Sequence, residues 1–469
     1  MAELAIQGAD GVDEPTAAIA PGAAVDLRDV LDHAPAGRLQ FLVTALCALT
    51  YCIDSFDTSV IGALSPQIGK EFGFGRDQLG FLFSAAVVGA VCGYLVLAPF
   101  SAKVGQRVMM AGSTAAFGLL SFLAPFVHGY GEFVALRLLT GLFLGAALPG
   151  TVALTGEFAP RKLRSTFITL MALGIALGLT SASLVTSALL GLGGWRTVML
   201  VCGGLPLVVS ACVWAWMPES VFFLSQDPSQ RLRIVGIIQR AAPNAGFNQD
   251  TEFYLTNPGR AGAIELVGRR RWVGTLALWI SYFMSLMVAY SVQSWLPTVF
   301  IDLGYSQKAA LGLTAGAFSA LFLSSVAAGP LMDRFGAFRM VALMFGLDAI
   351  FMVMMGAVLH ASAALVLVVA FTATLFNSAA QKGMGALCVF FYPPRLRSTG
   401  YAWGSGVGRI GAVMGPIAVG FAMSARWTPQ SLFYAASIPM IIGAASIAFI
   451  QWRYGLGAPH ADGGQVDAE

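Results

Sequence analysis

Long apolar runs separated by short polar connections make up most of the chain. A helix that crosses the hydrocarbon core of a bilayer needs about 20 apolar residues. Twelve runs meet that length: 39–66, 78–100, 108–127, 132–156, 165–190, 195–217, 272–296, 308–332, 338–358, 361–391, 397–424 and 430–453. The pattern predicts an all-α membrane protein with twelve transmembrane helices.

One longer polar stretch, residues 218–271, separates the first six runs from the last six. The start of the chain has no basic cluster and no continuous apolar core, so it does not read as a cleaved signal peptide. A short amphipathic turn is expected over Asp26–Ala34. We expect five regions: an N-terminal tail (1–38), a first six-helix bundle (39–217), a linker (218–271), a second six-helix bundle (272–453) and a C-terminal tail (454–469).

An internal repeat supports the division into two halves. APRKLRST (159–166) recurs as PPRLRST (393–399), which places Arg164 and Arg397 at an offset of 233 positions. APFSAKVGQR (98–107) corresponds to GPLMDRFGAF (329–338), with Gly105 and Gly336 offset by 231. Two related halves around a cavity at the membrane midplane are the architecture of many secondary transporters.

Composition and charge agree with a membrane location. Hydrophobic residues make up 57% of the chain and charged residues 11%, with a mean hydropathy of +0.75, whereas soluble domains are about 25% charged. The net charge of +3 gives no indication of a nucleic-acid partner, so the expected surroundings are lipid. Of the 27 Lys and Arg residues, 19 fall on the side of the predicted tails and linker. The positive-inside rule therefore places both termini in the cytoplasm.

Cysteine and histidine give no indication of a metal, cofactor or disulfide site. The six cysteines are scattered through apolar runs without a CxxC pair, and the four histidines lie in tails or short loops. The sequence has no nucleophile–base set and no phosphate-binding loop. GSGVGRIG (404–411) is glycine-rich, but it lies inside a predicted span and does not follow a strand. An enzyme is not expected.

Several segments resemble a known family. GPLMDRFG (329–336), the Arg137, Gly141 and Gly145 spacing in the fourth span, and MPESVFFL (217–224) are similar to signatures of the major facilitator superfamily. More narrowly, IDSFD (53–57), SWLPT (294–298) and YPPRLRSTGYAWGSGVGRIGAVMGP (392–416) look like the aromatic acid:proton symporter family.

The resemblance implies a fold, an activity and a pair of gating loops. The implied fold is two pseudo-symmetric six-helix bundles, and the implied activity is import of an aromatic carboxylate with a proton by alternating access. It also implies a monomer in the bacterial inner membrane, with H⁺ as the coupling ion and no cofactor. Ala102 stands where the family has an acidic residue, which weakens the first gating signature. The residues that match these signatures are Lys103, Gly105, Arg107, Asp333, Arg334 and Gly336.

Two aspartates interrupt the first span. Ionisable residues inside spans are costly and are functional candidates by default. Asp54 and Asp57 are three positions apart, so they share one helix face. Two carboxylates close together in a medium of low dielectric resist ionisation, which suits binding and release of a proton. Arg137 in the fourth span is expected to pair with one of them, either to tune it or as a structural ion pair; the sequence does not say which.

Basic residues stand in the second half. Arg409 is the candidate for binding the substrate carboxylate, because a guanidinium binds a carboxylate through two parallel hydrogen bonds. Lys382 is expected to help bind a larger or doubly anionic substrate. Asp348 is expected to be structural. Further candidates for hydrogen bonding or stacking on the substrate are Gln381, Asn377, Tyr282, Tyr290 and Trp403.

These residues favour proton-coupled uptake of an aromatic carboxylate. An exporter or antiporter of organic anions is the alternative within transport, and a non-transporting membrane sensor is the alternative outside it. The basic second half argues against cationic drugs, and neutral sugars have no need of Arg409 and Lys382. Both tails are short and featureless, which disfavours a sensor.

Overall fold

The computed structural model describes residues 24–242, 252–254, 265–266, 268 and 271–455 of the chain. The predicted tails over 1–23 and 456–469, and much of the predicted linker, lie outside the described residues. Within the described residues, the long helices form two bundles, each with its own apolar core.

The first half begins with two short elements and continues with long helices. Gly93–Leu97 forms a π-helical turn that joins α3 to α4 within a single span. The elements are β1 (Ala24–Asp26), α1 (Leu27–His33), α2 (Arg38–Phe72), α3 (Arg76–Cys92), α4 (Ser101–Val104), α5 (Gln106–Leu123), α6 (Tyr130–Phe158) and α7 (Arg164–Trp216).

The second half has six spans of its own, preceded by short elements of the linker. The elements are α8 (Val221–Leu224), α9 (Arg231–Ala241), β2 (Glu252–Tyr254), α10 (Trp272–Asp302), α11 (Gln307–Phe318), α12 (Ala320–Phe335), α13 (Ala337–Val358), α14 (Ala363–Phe391), α15 (Arg397–Ser424) and α16 (Pro429–Tyr454). A break at Ser319 divides one span into α11 and α12.

Helix α7 contains two spans. Its 53 residues would measure about 80 Å at 1.5 Å per residue, far more than the roughly 30 Å of a hydrocarbon core. The backbone leaves helical geometry at Gly193 and Gly194, and Gly194 adopts a φ of 72°. Among the described residues, eleven continuous helices are long and apolar enough to cross a membrane, and dividing α7 at this kink gives twelve. The predicted all-α integral membrane protein is confirmed.

Equivalent helices pack in equivalent ways in the two halves. In the first half α2 packs on α7, α5 on α7, and α3 on α6; in the second half α10 packs on α15, α13 on α16, and α12 on α14. The halves meet through α2 with α10, α3 with α15, and α7 with α11. This arrangement is the one expected when two copies of a six-helix unit face each other.

The predicted repeat landmarks have matching geometry. Gly105 and Gly336 each join two helices with φ of 96° and 87°, a backbone region that favours glycine. Arg164 and Arg397 each begin a helix and donate a hydrogen bond to the carbonyl five residues earlier, at 3.5 and 3.2 Å respectively. The repeat seen in the sequence is therefore a repeat of structure.

Residues 24–38, which the sequence assigned to the N-terminal tail, include a helix that packs on the first bundle. The expected turn at Asp26–Ala34 exists as α1, capped by Asp26, and its Leu27 and Leu31 are completely buried against the first bundle. Strand β1 pairs in parallel with β2 of the linker, and Asp32 forms an ion pair with Arg164. Apolar side chains on one face of α1 cause this docking, so the boundary of the folded first half lies before residue 38.

Candidate functional site: a polar cavity between the two halves

A cavity of about 470 Å³ lies between the two bundles. Both halves supply its walls, chiefly through α2, α10, α14 and α15. Its volume is within the range of small-molecule binding sites. The polar and charged side chains that line it include Asp54, Gln293, Asn377, Gln381, Lys382 and Arg409.

The halves hold together on the side opposite the termini. There, Arg76 pairs with Asp302 at 2.7 Å, and the ring of Phe83 lies 5.1 Å from that of Trp295. Two further polar contacts, Ser65 with Thr298 at 2.9 Å and Gln67 with Gln307 at 3.1 Å, join the halves at the same side. Towards the side of the termini, the residues that line the cavity include Gly385 and half-exposed Tyr401. The cavity therefore opens towards the side that carries the termini.

The two aspartates of α2 have different surroundings. Asp57 is 1% exposed, and its two oxygens accept hydrogen bonds from Arg137 Nη1 and Ser121 Oγ, each at 2.8 Å. Asp54, one turn earlier, lines the cavity. The pairing that the sequence left open is thus resolved: Arg137 holds Asp57, and Asp54 faces the space between the halves.

Close packing of α3 on α6 builds the surroundings of Arg137. A Cβ atom at Gly141 would lie 1.9 Å from the carbonyl oxygen of Ala86, and one at Gly145 would lie 2.1 Å from that of Ala90. Glycine is therefore required at both positions for the backbones to approach. Arg137, one turn before Gly141, is 2% exposed, and its Nε is buried without a hydrogen-bond partner.

Arg409 of α15 reaches across to the first half. Its Nη2 donates to Tyr94 Oη at 2.9 Å, and its guanidinium carbon lies 4.6 Å from the centre of the Tyr94 ring. The same cavity is lined by Tyr290 of α10 and by Asp54 and Tyr51 of α2, which interact with Arg409 electrostatically. Among the described residues, the cavity therefore combines two cations, Arg409 and Lys382, with the carboxylate of Asp54 and several phenol groups. The guanidinium is hydrogen-bonded to an uncharged phenol oxygen, which an incoming substrate carboxylate would displace.

Sequence reasoning missed Tyr94. A tyrosine in an apolar span carries no pattern that separates a binding residue from a packing residue. Its position depends on the π-helical turn at Gly93–Leu97, and such turns are frequent at functional sites. Tyr94, whose hydroxyl accepts a hydrogen bond from Arg409, lies within this irregular turn.

Lys382 lies in the cavity wall without a carboxylate partner among the described residues. Its Nζ donates to the carbonyl oxygen of Leu321 at 3.1 Å, to Ser324 Oγ at 2.7 Å and to Ser325 Oγ at 2.5 Å. An ammonium group has three N–H donors, so all three are satisfied by α12. Lys382 therefore adds positive charge to the cavity while it fastens α14 to the span of α11 and α12.

Three of the other candidates line the cavity with polar atoms, and one does not line it. Asn377, Gln381 and Tyr282 lie in the wall. Trp403 does not line the cavity in this structure: it is 48% exposed and stacks on Trp279 at 5.9 Å. Tyr401, Ser405 and Arg409 are four positions apart and share the cavity face of α15, which turns Trp403 to the outer surface.

The glycines of α15 serve helix packing. Cβ atoms at Gly411 and Gly415 would lie 2.2 and 2.3 Å from carbonyl oxygens of α10. Gly408 is similarly crowded by Leu286. These positions let α15 approach α10, and the approach brings Arg409 next to Tyr290.

The predicted gating loops lie on the side of the termini. Gly105 stands against Glu219 of the MPESVFFL segment, whose Oε1 accepts a hydrogen bond from the Arg107 amide at 3.0 Å. Lys103, Asp333 and Arg334 are exposed. Among the described residues Asp333 forms no ion pair, which agrees with separation of the halves on this side. Whether these loops gate transport stays a prediction.

Comparisons with known proteins indicate what the site serves. A family model described as Major Facilitator Superfamily matches residues 47–327. The gallate transporter of Pseudomonas putida is 32% identical over 428 residues, which cover 91% of this chain and 95% of the relative. The 4-hydroxybenzoate transporter of Acinetobacter baylyi is 31% identical over 434 residues, which cover 90% and 93%.

A solved structure shares the architecture. The D-xylose-proton symporter matches with a TM-score of 0.67 and 17% identity, over 91% of this chain and 100% of that one. At this identity the likeness concerns the fold alone: two bundles of helices with a cavity between them.

Proposed function

This chain belongs to the major facilitator superfamily, and from that premise we propose that it imports an aromatic carboxylate together with a proton. It is a transporter and not an enzyme. The observation that carries the proposal is that Asp54 of the first half and Arg409 of the second half line one cavity between the bundles. A proton-binding group and an anion-binding group in one cavity are the minimum that symport requires.

Arg409 is the proposed ligand of the substrate carboxylate. Its partner Tyr94 is uncharged, whereas a substrate carboxylate carries the opposite charge and accepts two parallel hydrogen bonds from the guanidinium. Tyr51, Tyr282 and Tyr290 line the same space and present aromatic rings to a planar ligand. Relatives named for gallate and 4-hydroxybenzoate transport support an aromatic acid as substrate.

Coupling is proposed to work through the counter-charge of Asp54. Asp54 and Arg409 line one cavity with opposite charges, and Arg409 is proposed to compensate Asp54 as long as no substrate carboxylate is bound. When a substrate carboxylate takes Arg409, Asp54 loses that compensation, and uptake of a proton neutralises it. The cavity then holds no unpaired acidic charge, which favours passage to the state with the opposite side open. Each ligand thereby favours binding of the other.

The proposed location is the bacterial inner membrane with both termini in the cytoplasm. The support is the distribution of Lys and Arg residues. In that orientation the cavity described above is open to the cytoplasm. This is the state in which an importer releases its substrate.

Uptake into proteoliposomes tests the proposal. With radiolabelled 4-hydroxybenzoate outside, accumulation should follow an inward proton gradient and stop when an ionophore dissipates it. Arg409→Ala should abolish uptake, whereas Arg409→Lys, which keeps the charge but loses the two-pronged geometry, should only weaken it. Uptake indifferent to the proton gradient would rule out symport. Wild-type uptake by Arg409→Ala would rule out the assigned carboxylate ligand.

A panel of aromatic mono- and dicarboxylates tests the role of Lys382. If its charge attracts a second anionic group, a dicarboxylate should compete better than its monocarboxylate analogue, and Lys382→Ala should remove the difference. Lys382→Arg keeps the charge and is the matched control. Equal competition in wild-type protein would remove Lys382 from the substrate site.

A further inference from the structure

Asp348 is a buried carboxyl group that the proposed transport cycle does not use. It lies on α13 with 0% of its surface exposed, behind the helix that forms the cavity wall. Its Oδ2 accepts a hydrogen bond from Asn377 Nδ2 at 2.8 Å, and its Oδ1 is buried without a hydrogen-bond partner among the described residues. Burying an incompletely paired carboxyl group is costly, so its retention calls for a role.

Asp348 determines which way the side chain of Asn377 points. A carboxamide has one acceptor and two N–H donors. One N–H of Asn377 is taken by Asp348, and Nδ2 also lies 3.6 Å from Met440 Sδ within the bundle. Asn377 lines the cavity. Its Oδ1 accepts no hydrogen bond from the described residues, and this oxygen is not fully buried. The face that Asn377 turns to the substrate is therefore an acceptor.

We propose that Asp348 is a positioning residue that fixes the Asn377 carboxamide with its oxygen towards the cavity, so that this wall selects aromatic acids whose ring carries a hydrogen-bond donor. The assignment rests on the proposed transport of aromatic carboxylates. A phenolic hydroxyl donates to Oδ1, while a carboxylate, which only accepts, is directed to Arg409 instead. The wall thus orients the substrate as well as selecting it. Whether or not Oδ1 of Asp348 carries a proton, Oδ2 remains an acceptor.

Paired ligands test the assignment. Binding of 4-hydroxybenzoate and of benzoate, which differ by one hydroxyl, is measured on purified protein by equilibrium dialysis. Wild-type protein should prefer the hydroxylated acid by about tenfold, the effect of one hydrogen bond in a desolvated site. In Asp348→Asn the new carboxamide presents either its oxygen or its NH2 group to Asn377, so the Asn377 carboxamide loses its fixed orientation. The preference should then fall to about twofold or less.

A double-variant comparison separates positioning from general damage. Asn377→Ala should remove the preference by itself, and adding Asp348→Asn to it should cause no further change, because Asp348 acts through Asn377. Ser437→Ala is the control: Ser437 is a buried polar residue on α16 whose hydroxyl bonds only its own helix, and the preference should stay intact.

The outcomes are distinct. The assignment would be overturned if Asp348→Asn lost affinity for both acids equally. It would also be overturned if Asn377→Ala kept the wild-type preference for 4-hydroxybenzoate. Should Asp348→Asn fail to fold, Asn377→Ala alone decides by the same criterion. A wild-type protein that binds neither acid would instead overturn the proposed function on which this assignment rests.

Discussion

Asp54 and Asp57 lie one helical turn apart, yet only Asp57 has a fixed ionic partner. The difference comes from the helical geometry of α2. Three residues turn the helix by about 300°, which leaves the two side chains about 60° apart around its axis. One carboxylate therefore lies against α5 and α6, and the other faces the cavity. Arg137 and Ser121 satisfy Asp57. The neighbouring carboxylate is left as the one that can exchange a proton with the cavity.

Asp54→Asn should separate binding from coupling. Asparagine keeps the size of aspartate but cannot take up the coupling proton. Accumulation driven by a proton gradient should fall at least about tenfold, whereas exchange of labelled for unlabelled substrate across the membrane should persist. Thr58→Ala, at another cavity-lining position of α2, is the control. Full gradient-driven accumulation by Asp54→Asn would assign the proton to another group.

Asp57→Asn should instead reduce stability. Removing one partner of a buried ion pair leaves the other charge uncompensated, at a cost of about 3–5 kcal/mol. The thermal unfolding midpoint in detergent should fall clearly, and the additional change Arg137→Gln should restore part of it. Asp302→Asn removes a partner from a half-exposed pair and should cost about 1 kcal/mol or less. Equal losses in the two single variants would contradict a buried, desolvated pair.

The sequence predicted which ionisable residues lie inside spans, but not the direction in which their side chains point. Every ionisable residue inside a span was visible in the sequence as a charge in an apolar run. Which of two aspartates faces the cavity depends on helix rotation, which hydropathy does not encode. Trp403, expected at the substrate site, lies outside the cavity lining for the same reason, and Tyr94 was missed because it lies in a local π turn.

At the scale of elements, small residues determine which helices touch. The contact of α3 and the following π turn with α6 consists of glycines set against backbone carbonyls: Gly141 and Gly145 on α6 face α3, and Gly89 on α3 and Gly93 of the π turn face α6. Spans in lipid lack a hydrophobic force that drives them together, so such close approach is a main source of their association. The sequence identified the α6 glycines by their spacing of four, but not their partners.

Gly141→Ala should destabilise the first bundle. Its Cβ would meet the Ala86 carbonyl at 1.9 Å, so the helices must separate, at a cost of about 1–3 kcal/mol. Gly156→Ala lies on the same helix with nothing within 4 Å and should be neutral or slightly stabilising. Thermal unfolding of the two variants side by side checks the expectation. Equal midpoints would mean that the α3–α6 contact is looser than described.

Element boundaries were predicted well where composition changes and poorly where it does not. The apolar runs gave the twelve spans, and the run boundary near residue 193 coincides with the kink at Gly193 and Gly194. Helix α1 was expected only as a short turn, because its docking depends on contacts with α6 and on the ion pair of Asp32 with Arg164, whose partners are 132 positions apart in the sequence. Local pattern carries no information on such a pairing.

At the scale of the whole molecule, the polar contacts between the halves lie mainly on one side. Ser65 and Thr298, both 0% exposed, lie at the centre of that closed side with their hydroxyl oxygens 2.9 Å apart. Transport by alternating access requires these contacts to break in each cycle. The closed side therefore offers a place at which the cycle can be stopped.

A disulfide between Ser65→Cys and Thr298→Cys should lock the molecule. The hydroxyl separation is short enough for two thiols to bond without large backbone movement. Oxidation should abolish uptake, and a reductant should restore it. Each single cysteine variant, oxidised in the same way, controls for the six native cysteines. Full uptake by the cross-linked protein would mean that the halves do not separate here.

The π-helical turn at Gly93–Leu97 has a consequence for comparing this chain with its relatives. A π turn holds one residue more than an α turn, so residues after it are displaced by one position relative to a regular helix. An alignment with a relative whose second span is regular needs a one-residue gap within 93–97. Without that gap, either the α3 glycines or the loop around Gly105 would be matched to the wrong positions.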